Sequence, residues 1–156
     1  MKLVRDYMKK KVVTFKPNDS IFTVAKMLSK HGISGAPVVR SRKVVGVISK
    51  SDIIRYMRLK MPEENASMLH EIHALSILMI TMIKDHLEFK RELLKMSKIK
   101  VSELMSKDVV SISPQENIIE AATMMERHTV ERLPVIDRGR LVGIIARSDL
   151  IRALIE

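Results

Sequence analysis

The sequence predicts an α+β protein: two β-α-β-β-α units packed about a pseudo-twofold axis, with a long helical insertion between them. Three observations lead there. The stretch Gly46-Val47-Ile48-Ser49-Lys50-Ser51-Asp52 returns as Gly143-Ile144-Ile145-Ala146-Arg147-Ser148-Asp149, 97 residues on (143 minus 46). At that offset Val4 to Leu59 aligns without gaps on Val101 to Glu156, and roughly a third of the positions are identical, which marks a duplicated unit. Between the copies, apolar residues recur at alternating spacings of four and three, a helical pattern with no counterpart in the repeat. The chain therefore divides into 1–59, 60–100 and 101–156.

In the first copy, Val12 to Phe15 is a short β-branched run that stops at Lys16-Pro17-Asn18-Asp19, where Pro removes a ladder donor and Asn-Asp favours a turn. Ser20 is placed to cap a helix through about Lys30, with Ile21, Val24, Ala25 and Leu28 on one face and His31-Gly32 at its end. Pro37-Val38-Val39 predicts a second strand, Arg40 to Lys43 a hairpin turn, and Val44 to Ser49 a third strand. Ser51 is then expected to cap a helix from Asp52 to about Leu59. The second copy repeats the plan with a strand over Val109 to Ile112, a helix from Ile118 to about His128, a hairpin of Leu133 to Ile136 and Leu141 to Ala146, and a helix from Ser148 to Ile155. Its turn, Asp137-Arg138-Gly139-Arg140, carries the stronger signal because Gly takes positive φ freely. Neither small sheet can cover itself, so the two units are expected to pack together and leave a cleft where matching edges meet.

In the insertion, Pro62-Glu63-Glu64 is a good helix start, and no Gly or Pro follows before Pro114. Met68, Ile72, Leu75, Met79, Met82, His86, Phe89, Leu93 and Met96 form a coiled-coil-like seam over 62–98. One helix of that length would run about 50 Å. Such a stripe needs a partner, either a second copy of the chain or its own second half. The run Ala74 to Ile83 is far shorter than the roughly 20 residues that a membrane span requires.

Composition bounds the rest. Aromatics make up only 3% of the chain, so the core must be built from Val, Ile, Leu and the 12 Met, which serve as adaptable packing. The absence of Cys excludes a disulfide framework and a thiolate metal site and suits a reducing cytosol. Met1 leads into Lys2, Arg5 and Asp6 with no apolar stretch behind them, so no signal peptide is expected. The formal charge of +10 is spread along the whole length. It fits a solvated surface, or one that attracts the phosphates of a small ligand or of nucleic acid.

The repeated motif carries the most chemistry. A strand that ends at a hydroxyl residue and turns into a helix at Ser-Asp puts a carboxylate beside backbone N–H groups, the parts used to hold a phosphate or a ribose. Asp52 could accept from two ribose hydroxyls while Ser49 and the helix start face a phosphate. Equally, Ser51 and Asp52 could do no more than cap the helix, worth about 1 kcal/mol each or less. Spacing alone leaves both open. His31 and His128 sit at matching helix ends, where imidazole complements the dipole, and His70 and His73 have no third ligand to complete a metal site. No nucleophile–base–orienter set and no Gly-rich phosphate loop is present, so an enzyme is not expected.

The joint pattern Met8, Val12-Val13-Thr14, Pro17, Gly32-Ile33-x-x-Ala36-Pro37-Val38-Val39 and Val45-Gly46-Val47-Ile48-Ser49-x-x-Asp52 resembles the CBS domain, named after cystathionine β-synthase. Met105, Val109-Val110-Ser111, Pro114, Leu133 to Asp137 and Gly143 to Asp149 resemble it again, so the pair is similar to a Bateman module. The resemblance implies a non-catalytic sensor whose clefts bind AMP, ADP, ATP or S-adenosylmethionine as a regulatory ligand, with no cofactor required. It implies phosphate contact at Ser49, ribose contact at Asp52, and adenine between Thr14 and Ile33-Ser34-Gly35-Ala36. In the second copy Asp149 keeps the ribose role, but Ala146 stands where the hydroxyl belongs. Ser111, Val130, Glu131, Arg132 and Leu133 form the corresponding wall, Arg132 reaching toward a phosphate across the pseudo-dyad, with Lys50 and Arg147 able to assist. A homodimer, a regulated protein partner and a cytoplasmic location are the further expectations. The alternative is a nucleic-acid-binding adaptor or an interaction scaffold that uses the basic surface and the long helix.

Overall fold

The computed structural model describes residues 1–60 and 87–156. Unit 1 contains α1 (Val4–Tyr7), α2 (Ile21–Lys30), β1 (Gly35–Arg40), β2 (Lys43–Ser49) and α3 (Lys50–Lys60). After it come α4 (Leu87–Lys98) and α5 (Val101–Leu104), then α6 (Ile118–Arg127), β3 (Arg132–Asp137), β4 (Arg140–Ala146) and α7 (Arg147–Ile155) of unit 2. The mixed class and the two repeated units hold. The seam predicted over 62–98 falls mostly outside the described residues, and only its Met96 has a described side chain. That side chain is 6% exposed and joins the core of unit 1, where α4 packs against α2.

Local chemistry accounts for the element ends. Ser20 Oγ accepts from the Thr23 N–H at 3.2 Å to open α2, and Asn117 Oδ1 accepts from the Glu120 N–H at 2.8 Å to open α6. Helix α3 starts two residues earlier than predicted and α7 one, and Ser51 and Ser148 do not cap them but stand exposed inside the first turn. The acid one position further on takes part in the capping instead, joined in α3 by Ser49, whose Oγ accepts from the Asp52 N–H at 3.3 Å. Asp52 Oδ2 accepts from the Ser49 N–H at 2.8 Å, and Asp149 Oδ2 from the Ala146 N–H at 2.9 Å. A carboxylate in the third helical position reaches back to the cap N–H, which is one half of a capping box.

Each sheet has two antiparallel strands, registered from Gly35↔Ser49 to Arg40↔Lys43 and from Arg132↔Ala146 to Asp137↔Arg140. The strands predicted at Val12 to Phe15 and Val109 to Ile112 shrink to one parallel bridge apiece, Phe15 to Val38 and Ile112 to Val135. Phe15 donates to Pro37 O at 3.0 Å and accepts from the Val39 N–H at 2.8 Å, after which Lys16 and Pro17 turn the chain away. With Pro two residues on, the ladder has no donor with which to continue.

The largest departure from the sequence reading is an exchange of leading segments. Helix α1 packs on unit 2: Val4, fully buried, belongs to the core of Ile112, Met125, Leu133, Val135 and Ile145, and Lys9 and Ile144 exchange both backbone bonds at 2.8 and 2.9 Å. Helix α5 returns the arrangement, with fully buried Val101 in the core of Phe15, Leu28, Val38, Ile48 and Ile53, and with Val47 and Ser106 bonded twice at 2.9 Å. Gly46 and Gly143 make room for it. A Cβ on Gly46 would lie 2.8 Å from Ser106 O, and one on Gly143 would lie 3.0 Å from Lys9 O, with the Sδ of Met105 or Met8 nearer still. Each unit is thus completed by the other's first residues.

Candidate ligand cleft between the units

A cavity of about 410 Å³ lies between the two units, lined by Ser34 to Pro37 and Val47 to Ser51 of unit 1 and by Thr129 to Arg132, Pro134 and Ile144 of unit 2. That volume suits a small organic ligand. In each unit the loop before the first strand is pinned to the start of the closing helix: the Lys50 N–H donates to Ser34 O at 2.8 Å and the Arg147 N–H to Glu131 O at 3.0 Å. These bonds present the wall of the cleft.

Arg132 crosses it. One guanidinium nitrogen, Nη2, donates to Ser34 Oγ at 2.9 Å, and Nη1 donates to Gly35 O at 3.3 Å. The Ser34 hydroxyl in turn donates to Glu131 Oε2 at 3.3 Å. The buried Nε of Arg132 has no hydrogen-bond partner among the described residues. Burial pulls the Arg132 pKa below the usual guanidinium value, while the charges of Glu131 and Asp149 hold it up. Arginine stays protonated in proteins, so the cleft holds a partly desolvated cation with unused bonding capacity, which an acceptor oxygen would fill.

The two repeated acids differ in their surroundings. Asp52 Oδ2 takes the Ser49 N–H and, at 2.9 Å, the Ser49 hydroxyl, and its Oδ1 lies 3.4 Å from Arg55 Nη2. Asp149 has no hydroxyl to bind, since Ala146 stands in that place. Its Oδ1 faces two cations instead, Lys9 Nζ at 3.9 Å and Arg152 Nη2 at 3.7 Å, and its side chain is 4% exposed against 12% for Asp52.

Of the residues that the sequence singled out, Ser34, Gly35, Ala36, Ser49, Lys50, Val130, Glu131 and Arg132 line the cavity, and Thr14, Ile33, Asp52, Ser111, Leu133, Arg147 and Asp149 do not. Leu133 is fully buried in the core of unit 2, and Ile33 packs against that of unit 1. Arg147 instead lines a groove of about 400 Å³ between α6 and α7, together with Ile119, Ile151 and Leu154. The lining also includes residues the sequence reading missed, among them Pro37, Val47, Pro134, Ile144 and Thr129. Strand register pairs Pro37 with Val47 and Pro134 with Ile144, so alternation counted from Gly35 would have found them. Thr129 follows from the repeat offset, since it matches Gly32. The two share a left-handed backbone, φ +54° and +60°, which costs a β-branched residue more than it costs Gly.

No group of three or more His, Asp or Glu side chains that could hold a metal ion occurs among the described residues, and His70 and His73 lie outside them. Nor is any described helix long and apolar enough to cross a membrane.

Two interlocked sheet-and-helix units with a cleft between them define a tandem module. The CBS domain model matches residues 4–59 and 101–156, and the chain belongs to the CBS-domain family. An uncharacterized protein of Methanocaldococcus jannaschii, MJ1426, is 37% identical over 155 residues, covering 98% of this chain and 91% of its own. An inosine-5'-monophosphate dehydrogenase of Korarchaeum cryptofilum is 26% identical over 151 residues, but this chain spans only 24% of that enzyme. Among solved structures, CBSX2 in complex with AMP superposes with a TM-score of 0.71 at 22% identity, covering 99% and 97% of the two chains. The CBS domain pair of MJ0100, in complex with 5'-methylthioadenosine and S-adenosyl-L-methionine, does so with a TM-score of 0.66 at 25% identity, covering 99% and 96%.

Proposed function

We propose that the chain is a non-catalytic sensor that binds an adenosine-containing ligand in the cleft between its CBS units and passes the change in unit pairing to a partner. The observation that carries this reading is Arg132, a half-buried cation laid across the cleft with its Nε unpaired. The complexes of CBSX2 with AMP and of MJ0100 with adenosyl compounds supply the ligand class. In this reading a ligand phosphate or carboxylate meets Arg132, Lys50 and Ser49, the adenine lies along Ser34 to Ala36 beside Thr14, and Asp52 exchanges Arg55 for ribose hydroxyls. The unit 2 acid has two cations to give up and no neighbouring hydroxyl, so the unit 1 side is the stronger subsite. Ser111, Val130 and Asp149 would then frame a weaker second one.

Isothermal titration with AMP, ATP and S-adenosylmethionine tests the assignment on wild type, Asp52→Ala and Arg132→Ala. At least one of these ligands is expected to bind, and each variant is expected to lose about tenfold or more in affinity, the value of one charge-assisted bond. Binding that is unchanged in both variants removes the cleft from consideration. A cytoplasmic homodimer completes the proposal. Its contact would be the α6/α7 groove, where Ile119, Ile151 and Leu154 are 74%, 62% and 73% exposed. Leu154→Lys is expected to shift the sedimentation of the full chain toward the monomer.

A further inference from the structure

The two hairpin tips form a feature that the cleft does not use. In unit 1 the turn is Ser41-Arg42 between Arg40 and Lys43, and in unit 2 it is Arg138-Gly139 between Asp137 and Arg140. The tips touch, since the Leu141 N–H donates to Arg42 O at 3.4 Å, and β2 runs beside β4. Arg40, Arg42, Lys43, Arg138 and Arg140 are all exposed, and none of their side chains makes an ion pair or hydrogen bond among the described residues. Asp137 is the one carboxylate in the two turns, which leaves five charges minus one, or +4, at a single edge.

Backbone conformation adds a second observation. Ser41 and Arg42 have φ of 50° and 66°, and Arg138 has 49°, so three of the four non-glycine residues with positive φ among the described residues stand at these tips. A two-residue turn of this kind favours Asn-Gly. Arginine in such a position conflicts with local preference, and conflicts of that sort concentrate where function requires the side chain.

We infer that the paired tips are a docking surface for the phosphate backbone of a nucleic-acid duplex, a site independent of the adenosyl cleft. The chemistry selects the duplex. No large apolar side chain is exposed on either tip, so nothing is there to enter a lipid surface. No aromatic residue lies on them, so nothing is there to stack on single-stranded bases. Unpaired cations on stiff turns suffice for sequence-independent contact to duplex phosphates. The cleft lies toward the opposite end of the same strands, its nearest lining residues Pro37, Val47, Pro134 and Ile144 standing three or four residues, or roughly 10 Å or more, from the turns, and none of the substituted tip residues lines it.

The test is fluorescence anisotropy of the full chain with a labelled DNA duplex of about 20 base pairs, between about 50 and 200 mM salt. The variant is Arg42→Asn, Arg138→Asn, Arg140→Gln; Asn suits positive φ, so folding is not put at risk. Wild type is expected to bind with a steep salt dependence. The variant should bind at least tenfold more weakly near 100 mM salt, its log–log slope should be shallower by about 2.7 (three contacts at 0.9 each), and it should melt no lower than wild type. A control that removes the exposed Lys16, Lys26 and Lys30 as Gln should retain most of the affinity. Equal loss in variant and control, tighter binding to a single strand of the same length, or binding to phosphatidylserine vesicles without binding to the duplex would each overturn the assignment.

Discussion

Units 1 and 2 share one backbone plan, yet equivalent positions carry different side chains and different neighbours. Where unit 1 has Ser49, a hydroxyl that engages its acid, unit 2 has Ala146, and the acid there is buried between Lys9 and Arg152 instead. Where unit 1 has Gly35, on which a Cβ would lie 2.9 Å from Ile48 O, unit 2 has Arg132, the side chain that spans the cleft. Met57 is 3% exposed in the unit that α4 covers, whereas its counterpart Leu154 is 73% exposed in the unit whose groove is open. Duplication supplies two equal scaffolds, and divergence has given one of them the hydroxyl that engages its acid and the other the arm that reaches across. The cleft therefore depends on both halves without being symmetric.

The comparison can be broken first at its shared feature. Gly46→Ala and Gly143→Ala each push a methyl against the exchanged segment, and each is expected to cost about 3 kcal/mol in chemical denaturation. A large difference between the two would mean that the exchange matters more to one unit. Next come the acids. Asp149→Ala removes a nearly buried cap together with its two ion pairs, for about 2 kcal/mol, whereas Asp52→Ala, with Ser49 still present to cap, should cost about 1 kcal/mol. Equal urea midpoints for the pair would erase the distinction.

Smaller effects sharpen the contrast further. Ser49→Ala should weaken adenosyl binding about tenfold, or about 1.4 kcal/mol, and Ala146→Ser should strengthen the second subsite enough to be seen as raised stoichiometry in titration. Last, Thr129→Gly relieves a left-handed β-branched residue and should raise stability by up to about 1 kcal/mol, while Gly32→Thr should lower it by a similar amount. Thermal melts of the two variants read this directly.

How legible the molecule is depends on the range of the signal. Ser20 capping α2, the apolar face of Ile21, Val24, Ala25 and Leu28, and both hairpins depend on neighbours within a few residues, so periodicity and turn chemistry reach them. The missing first strands show the limit, because Val12 to Phe15 has the β-branched pattern but only one residue free to pair before Pro17. Ser51 misled because α3 starts two residues before Asp52, with Ser49 Oγ accepting from the Asp52 N–H and Asp52 reaching back to the Ser49 N–H. At the site, the resemblance to the family singled out Ser34 to Ala36, Ser49, Lys50 and Arg132, which line the cavity. Pro37, Val47, Pro134 and Ile144 went unseen because their facing depends on which side of each hairpin meets the other unit.

By itself the sequence determined that the chain is a duplication, where most helices and hairpins begin and end, and that unit 2 lacks one hydroxyl beside its acid. These are matters of residue type and spacing. Tertiary structure alone decided that α1 completes unit 2 and α5 completes unit 1, that Arg132 bonds to Ser34 and Gly35, and that the tips of the two hairpins meet. Those contacts include backbone bonds between residues from 59 (Val47 and Ser106) to 135 (Lys9 and Ile144) positions apart, and whether such groups meet is settled by how two surfaces close over their apolar faces, which no local pattern records.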